Sequence, residues 1–213
     1  MVDLEFFFDP VCPWAWITSR WAHEVREVRS INIEWRFISL RIINEHRDYD
    51  KEFPPGYAAG HGLGLRLLRV AAAIADQHDN AAVERFYSAV GTSFHIDRRF
   101  AELVGGIAIE EALTAAEPHT DLAAATDDDG LTAQVRADSE LALSRVGRDM
   151  GTPVLTFAPP DGPSFFGPVI DRVPEGEEAG RLWDLVRELA AFSGFEELKR
   201  SARADPQTDW RRG

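Results

Sequence analysis

The sequence contains a single cysteine, Cys12, in 213 residues. No intramolecular disulfide can form, and a cysteine-based metal cluster is excluded with it. The histidines at 23, 46, 61, 78, 95 and 119 show no ligand spacing, so no metal is expected. Basic residues are also short: 23 Lys and Arg against 36 Asp and Glu leave a net charge of −13. That balance repels phosphate backbones and anionic lipid, which argues against nucleic acid or a membrane as partner. No apolar run approaches the roughly 20 residues of a membrane span. A secretory leader is not expected either. Asp3 and Glu5 stand where a basic region belongs, and Phe6–Phe8 is too short for an apolar one. One thiol and no export signal suggest the reducing cytoplasm.

What is present is ordinary for a globular chain: 45% apolar and 28% charged residues. A length of this order can bury about 70–75% of the unfolded surface in a full core. Leu4–Phe8 reads as a buried strand. After Pro13, Ile17, Trp21, Val25 and Val28 recur on one helical face. Pro13 suits the first position of that helix, which makes Cys12 its N-cap. There the sulfur faces unpaired N–H groups and the positive end of the helix dipole. Such sites lower a cysteine pKa from about 8.5 to roughly 3.5–7.5, so a reactive thiolate is expected. Redox dithiols carry a second cysteine one turn further on; here that place is Ala15. Trp14 is expected to offer an exposed stacking surface beside the sulfur, and Trp16 to pack in the core.

Ile31–Ile38 alternates apolar and polar residues, as a strand with one covered face does. A strand–helix–strand order with a short return implies parallel pairing. Glu45–Gly64 is rich in charge, Gly and Pro and reads as a long irregular connection. Its Gly60-x-Gly62-x-Gly64 lacks the interval and the preceding strand of a dinucleotide fingerprint. Helical signals run from Leu65 to Arg145, with Asp97 expected to cap the segment from Phe100. Asp127–Asp129 reads as a solvated helix start. Pro153–Phe157 and Ser164–Gly167 read as an antiparallel pair, and Glu175–Phe192 as a closing helix with Ala179, Leu182, Trp183, Val186, Leu189 and Ala190 on one face. From Ser201 the chain is polar and expected to be loose.

Asp9-Pro-Val-Cys-Pro-Trp-Ala-Trp16 resembles the active-site stretch of the DsbA-like, thioredoxin-fold family, whose usual form is D-P-x-C-P-W-C-W. The branch it is most similar to is the actinobacterial one of mycothiol-dependent reductases and nitroreductases. Ile43-Asn-Glu45, Val146-Gly-x-Asp-x-Gly-Thr-Pro153, Phe165-Phe-Gly-Pro168 and Gly176–Asp184 extend the likeness in order along the chain. The resemblance implies an α/β thioredoxin fold with a helical insertion. Residues 1–44 and 147–200 would form a discontinuous thioredoxin-like domain that includes the helix at 131–146. Residues 60–130 would form an inserted subdomain, a lid over the cysteine, and 201–213 a tail.

The same resemblance implies a substrate and thiol site made of Pro13, Trp14, Ala15, Asn44, Tyr57, His95, Thr152 and Pro153 around the catalytic Cys12. The Thr152–Pro153 bond would be cis and would face the sulfur. His95, the one group there with a pKa near neutrality, could donate a proton. Ala15 is the departure from the family pattern. Either the chain is a natural monothiol form, or an engineered Cys→Ala form of a dithiol reductase. The activity implied is thiol–disulfide exchange in the cytoplasm, with no tightly bound cofactor and with mycothiol or a similar low-molecular-weight thiol as co-substrate. The second substrate would be a small-molecule or protein disulfide, or a small electrophile, and the protein a monomer or homodimer. Two other readings stay open: a kappa-class-like thiol transferase or isomerase, and a non-redox binding protein with Cys12 inert.

Overall fold

A computed structural model of the chain describes residues 1–118 and 120–210. His119 and the last three residues of the tail lie outside the described residues. Strand β1 (Leu4–Phe8) is buried along its whole length, and Asp9–Val11 turn the chain into α1 (Pro13–Arg29). Strand β2 (Ile33–Phe37) then pairs parallel with β1, Leu4 opposite Ile33 and Phe8 opposite Phe37. Two short helices, α2 (Leu40–Ile43) and α3 (Tyr49–Glu52), lead to α4 (Tyr57–Gln77) and α5 (Asn80–Gly91). A π-helical turn over Thr92–Ile96 continues α5 into α6 (Phe100–Val104) and α7 (Ile107–Ala116). Tight 3-10 turns at Thr120–Asp127 and Asp129–Leu131 lead to α8 (Thr132–Val146). Strands β3 (Val154–Phe157) and β4 (Ser164–Phe166) follow, and α9 (Gly176–Ala191) is the last helix.

The sheet order is β2-β1-β3-β4, with β3 antiparallel to both of its neighbours. This is the thioredoxin arrangement, with the helices from α4 to the 3-10 turns between its two halves. The pleat sorts β1 by face. Leu4, Phe6 and Phe8 join the large core that contains Trp16, Trp21 and Trp35. Phe7 faces the other way, against Ala142 and Leu143 of α8 and Val154 of β3. Helix α9 closes over α1: the Trp21 indole N–H donates to the Ala179 carbonyl at 3.0 Å, and the rings of Trp21 and Trp183 lie 6.1 Å apart.

Several expectations need correction. The glycine-rich stretch is not irregular. Helix α4 starts at Tyr57 and runs through Gly60, Gly62 and Gly64, because its buried face of His61, Leu63, Leu67 and Leu68 outweighs the weak propensity of glycine. Helix α6 follows Arg99 with no side-chain cap, so Asp97 does not cap it. Leu189 is 40% exposed, at the edge of the α9 stripe instead of within it. The tail is not loose at its far end, where Thr208 is buried: Gln207 N–H donates to the Asp171 carbonyl at 2.8 Å, and the Trp210 indole N–H to Glu175 at 2.9 Å.

Candidate active site

Cys12 is the N-cap of α1 and Pro13 its first residue. Its sulfur accepts the Ala15 N–H at 3.5 Å and points its own proton at the Thr152 carbonyl, also at 3.5 Å. The Thr152–Pro153 peptide bond is cis. Thus β1, α1 and the approach to β3 converge on one sulfur, although Cys12 and Thr152 lie 140 residues apart. Pro13 is half-buried and Ala15 fully buried; Trp14 is not the exposed surface expected but half-buried, packed against the core.

The electrostatics differ from the expectation. Burial pushes the Cys12 thiol up to about 12, against the helix N–H groups that pull it down; the nearby Asp9 carboxylate adds a smaller upward push. Cys12 is only 5% exposed. A long bond from the Ala15 amide, with a smaller pull from the Trp14 amide, cannot replace the lost hydration of a thiolate. In the resting structure the sulfur is therefore a protonated thiol, not the expected thiolate.

The other predicted residues form two groups. His95 lies within the π-helical turn, buried, with Nε2 2.9 Å from the Pro10 carbonyl in the Cys12 turn. A carbonyl only accepts, so that nitrogen carries the proton. Burial holds the ring down to about 3, with the Pro10 bond opposing. His95 is consequently neutral at physiological pH and does not titrate there as a proton donor should. It stacks on Trp16, centroids 5.4 Å apart, while the Arg20 guanidinium lies 4.2 Å over the same indole. Trp16 itself fits against Gly91, where a Cβ would come within 2.2 Å of its ring, so a side chain there has no room.

Asn44 and Tyr57 belong to the second group, on the α2–α4 side. Asn44 ends α2, and its Nδ2 donates to the Leu40 carbonyl at 2.9 Å. Tyr57, 46% exposed, opens α4 and stacks on Phe53 at 5.9 Å. The Tyr49 hydroxyl reaches Nδ1 of His61 at 2.9 Å, and burial, aided by Arg41, pushes His61 down to about 4. The contacts of Asn44 and Tyr57 are thus with Leu40, Phe53 and His61.

Two features escaped the sequence reading. Asp9 is completely buried behind Cys12, its carboxylate accepting the N–H groups of Val11 at 3.0 Å and Leu40 at 2.7 Å. Its place three residues before the cysteine, in the quoted motif, was the available signal. The other is Thr208, whose carbonyl accepts the Trp16 indole N–H and whose hydroxyl donates to the His95 carbonyl. No local pattern marks it.

Comparison with known proteins agrees with this geometry. Over 214 residues the chain is 30% identical to the uncharacterized protein Rv2286c of Mycobacterium tuberculosis, covering 94% of this chain and 82% of that one. Among solved structures, a putative protein disulfide isomerase from Nitrosomonas europaea superposes with a TM-score of 0.55 at 14% identity, over 85% of this chain and 95% of that chain. The cytosolic disulfide reductase DsbM from Pseudomonas aeruginosa gives 0.52 at 19% identity, over 88% of this chain and 99% of that chain. Those two likenesses establish the fold. A family model, Rv2466c-like, described as mycothiol-dependent nitroreductase Rv2466c, matches residues 11–200. The chain therefore belongs to the Rv2466c-like family of mycothiol-dependent nitroreductases, which makes it a thiol-dependent oxidoreductase.

Proposed function

We propose that the protein is a cytoplasmic, single-thiol exchange enzyme in which Cys12 attacks a mixed disulfide and mycothiol completes the turnover. The observation that carries this reading is the position of Cys12 Sγ, between the first turn of α1 and the Thr152 carbonyl. A disulfide R–S–S–R′ docked there would take the place of the Thr152 carbonyl beside the sulfur. Cys12 gives up its proton and forms an S–S bond to R, while R′–S⁻ leaves and is protonated. Ala15 offers no second sulfur. A mycothiol thiolate then attacks the R-bearing sulfur of Cys12–S–S–R, so that the Cys12 thiolate leaves and is reprotonated and R–S–S–mycothiol is released. The raised thiol pKa fits a sulfur kept protonated until a substrate occupies the site.

Pro13, Trp14 and Ala15 form the floor of the substrate site in this reading, and Thr152 and Pro153 one wall. Asn44 and Tyr57 stand at the outer edge, with His95 as a neutral support for the Pro10 turn. Residues 60–130 act as the inserted lid, and residues 1–44 and 147–200 as the thioredoxin-like unit. The single cysteine and the acidic surface support a reducing cytoplasm without nucleic-acid or membrane partners.

The test is intact mass after incubation with a mycothiol disulfide. One mixed-disulfide adduct on Cys12, discharged by added mycothiol, is expected. No adduct on folded protein overturns the reading. The buried, protonated sulfur favours one rival, the transferase or isomerase in which the thiolate belongs to the co-substrate. In that case Cys12→Ala retains activity and wild-type protein gains no mass.

A further inference from the structure

The Cys12 turn is held by a second ionisable group, to which the proposed mechanism gives no task. Asp9 directly follows β1, and its backbone carbonyl accepts the Cys12 N–H at 3.1 Å. Its carboxylate folds back over the same turn to take the Val11 N–H, and reaches across to the Leu40 N–H at the start of α2. Helix α4 closes the enclosure from the third side. A Cβ on Gly64 would lie 2.6 Å from Asp9 Oδ1, so only a glycine lets the helix pass so close. A carboxylate wholly removed from water, bonded only to two backbone amides, is a costly arrangement that a neutral residue would avoid.

We propose that Asp9 is the positioning residue of the Cys12 turn, clasped by Val11, Leu40 and Gly64, and that its charge sets how readily Cys12 loses its proton. Burial raises the Asp9 carboxyl to about 7, with the two amide bonds opposing, so it changes charge in the physiological range. Ionised, it is an anion beside a sulfur that must itself become an anion, and it pushes the thiol up. Protonated, it no longer does.

The groups packed around the pair keep their charge through that range. Tyr49 of α3 and Tyr87 of α5 both feel Asp9, and burial raises both hydroxyls above their ordinary value. His61 of α4 and His95 beyond α5 are held down, to about 4 and about 3. Arg20 of α1, against Tyr87, is lowered only to about 10, and the Arg41 guanidinium lies beside Tyr49 and His61. Among the described residues, a break near neutral pH in the acidity of Cys12 thus has one source.

The proposal rests on Cys12 being the working sulfur, but its test needs no knowledge of the substrate. Cys12 is the only thiol, so iodoacetamide alkylation followed by intact mass reports it alone. The logarithm of the rate should climb with unit slope at low pH, flatten through the Asp9 midpoint, then climb again on a limb about tenfold lower. Asp9→Asn should follow the low-pH limb throughout, without the flattening, and exceed wild type about tenfold above neutrality. A merely structural role would displace the whole profile instead. If Asp9→Asn does not fold, the wild-type profile is set against the carboxyl titration of aspartate-labelled protein by carbon-13 NMR. A common midpoint supports the proposal, and a straight alkylation profile through the Asp9 midpoint overturns it. Failure of the mixed-disulfide reaction would leave this titration readable, so the two readings fail separately.

Discussion

The indole N–H of Trp16 donates to the carbonyl oxygen of Thr208 at 3.1 Å, joining residues 192 positions apart. Thr208 also reaches the His95 carbonyl, and the Arg98 guanidinium reaches its hydroxyl at 3.3 Å. Thr208, outside the matched span of 11–200, therefore fastens the cysteine helix to the turn that supports Pro10.

Deleting the chain from residue 206 onward strips the buried Trp16 N–H of its acceptor. An unsatisfied buried donor costs about 1–3 kcal/mol. Urea unfolding should show that loss in the midpoint at an unchanged slope; equal midpoints for the two chains would show that the Thr208 contacts hold nothing.

Glycines along α4 should separate sharply. Gly60→Ala and Gly62→Ala place a methyl in open space and should stabilise by about 0.5–1 kcal/mol. Gly64→Ala drives a methyl into Asp9 and Val11 and should destabilise by about 1–3 kcal/mol. Thermal unfolding of the three variants decides it, and three gains would contradict the packing described.

The buried thiol predicts slow chemistry with simple reagents. With Cys12 raised from 9.0 to about 12, native protein at pH 7 should alkylate about a thousandfold more slowly than protein unfolded in urea. The same shift has a stability sign. Below the unfolded pKa the neutral thiol's contribution is fully present, and it is lost as pH rises from about 9 to 12. The stability difference between wild type and Cys12→Ala should shrink across that window; a constant difference, or an equal alkylation rate, would contradict the burial.

Asp9 has its own window. Its pKa is raised from 3.8 to about 7, so its contribution is full in acid and declines as pH climbs through that interval. The stability of Asp9→Asn relative to wild type should therefore improve between pH 4 and 7 and level off above it, as measured by urea midpoints. An unvarying difference would mean that the carboxyl titrates normally.

Restoring the missing cysteine should alter the kinetics. The Ala15 amide lies 3.5 Å from Cys12 Sγ, so Ala15→Cys places a second sulfur one turn into the helix beside the first. Oxidation should then remove two hydrogen atoms from the mass. Discharge of a mixed disulfide should become independent of mycothiol concentration, whereas persistent dependence would place the new sulfur out of reach.

Much of this was open to inspection along the chain, because it depends on near neighbours. Alternation and capping mark β1, α1, β2 and the β3–β4 pair, and Pro13 after Cys12 marks the N-cap to the residue. Family motifs located Thr152 opposite the sulfur. Helix α4 was missed because three glycines lower local propensity, and one of them is there for Asp9, 55 positions away in sequence but in direct contact.

By itself, then, the order of residues determined the secondary elements, the lone sulfur and its place at a helix start, since these follow from periodicity and from bonds reaching three or four residues. Only the folded chain decided the charge of that sulfur. Desolvation depends on everything packed around an atom, and here it takes more stability from a thiolate than the helix end returns. Long-range enclosure also made Asp9 titrate near neutrality, silenced His95 and tied down Thr208.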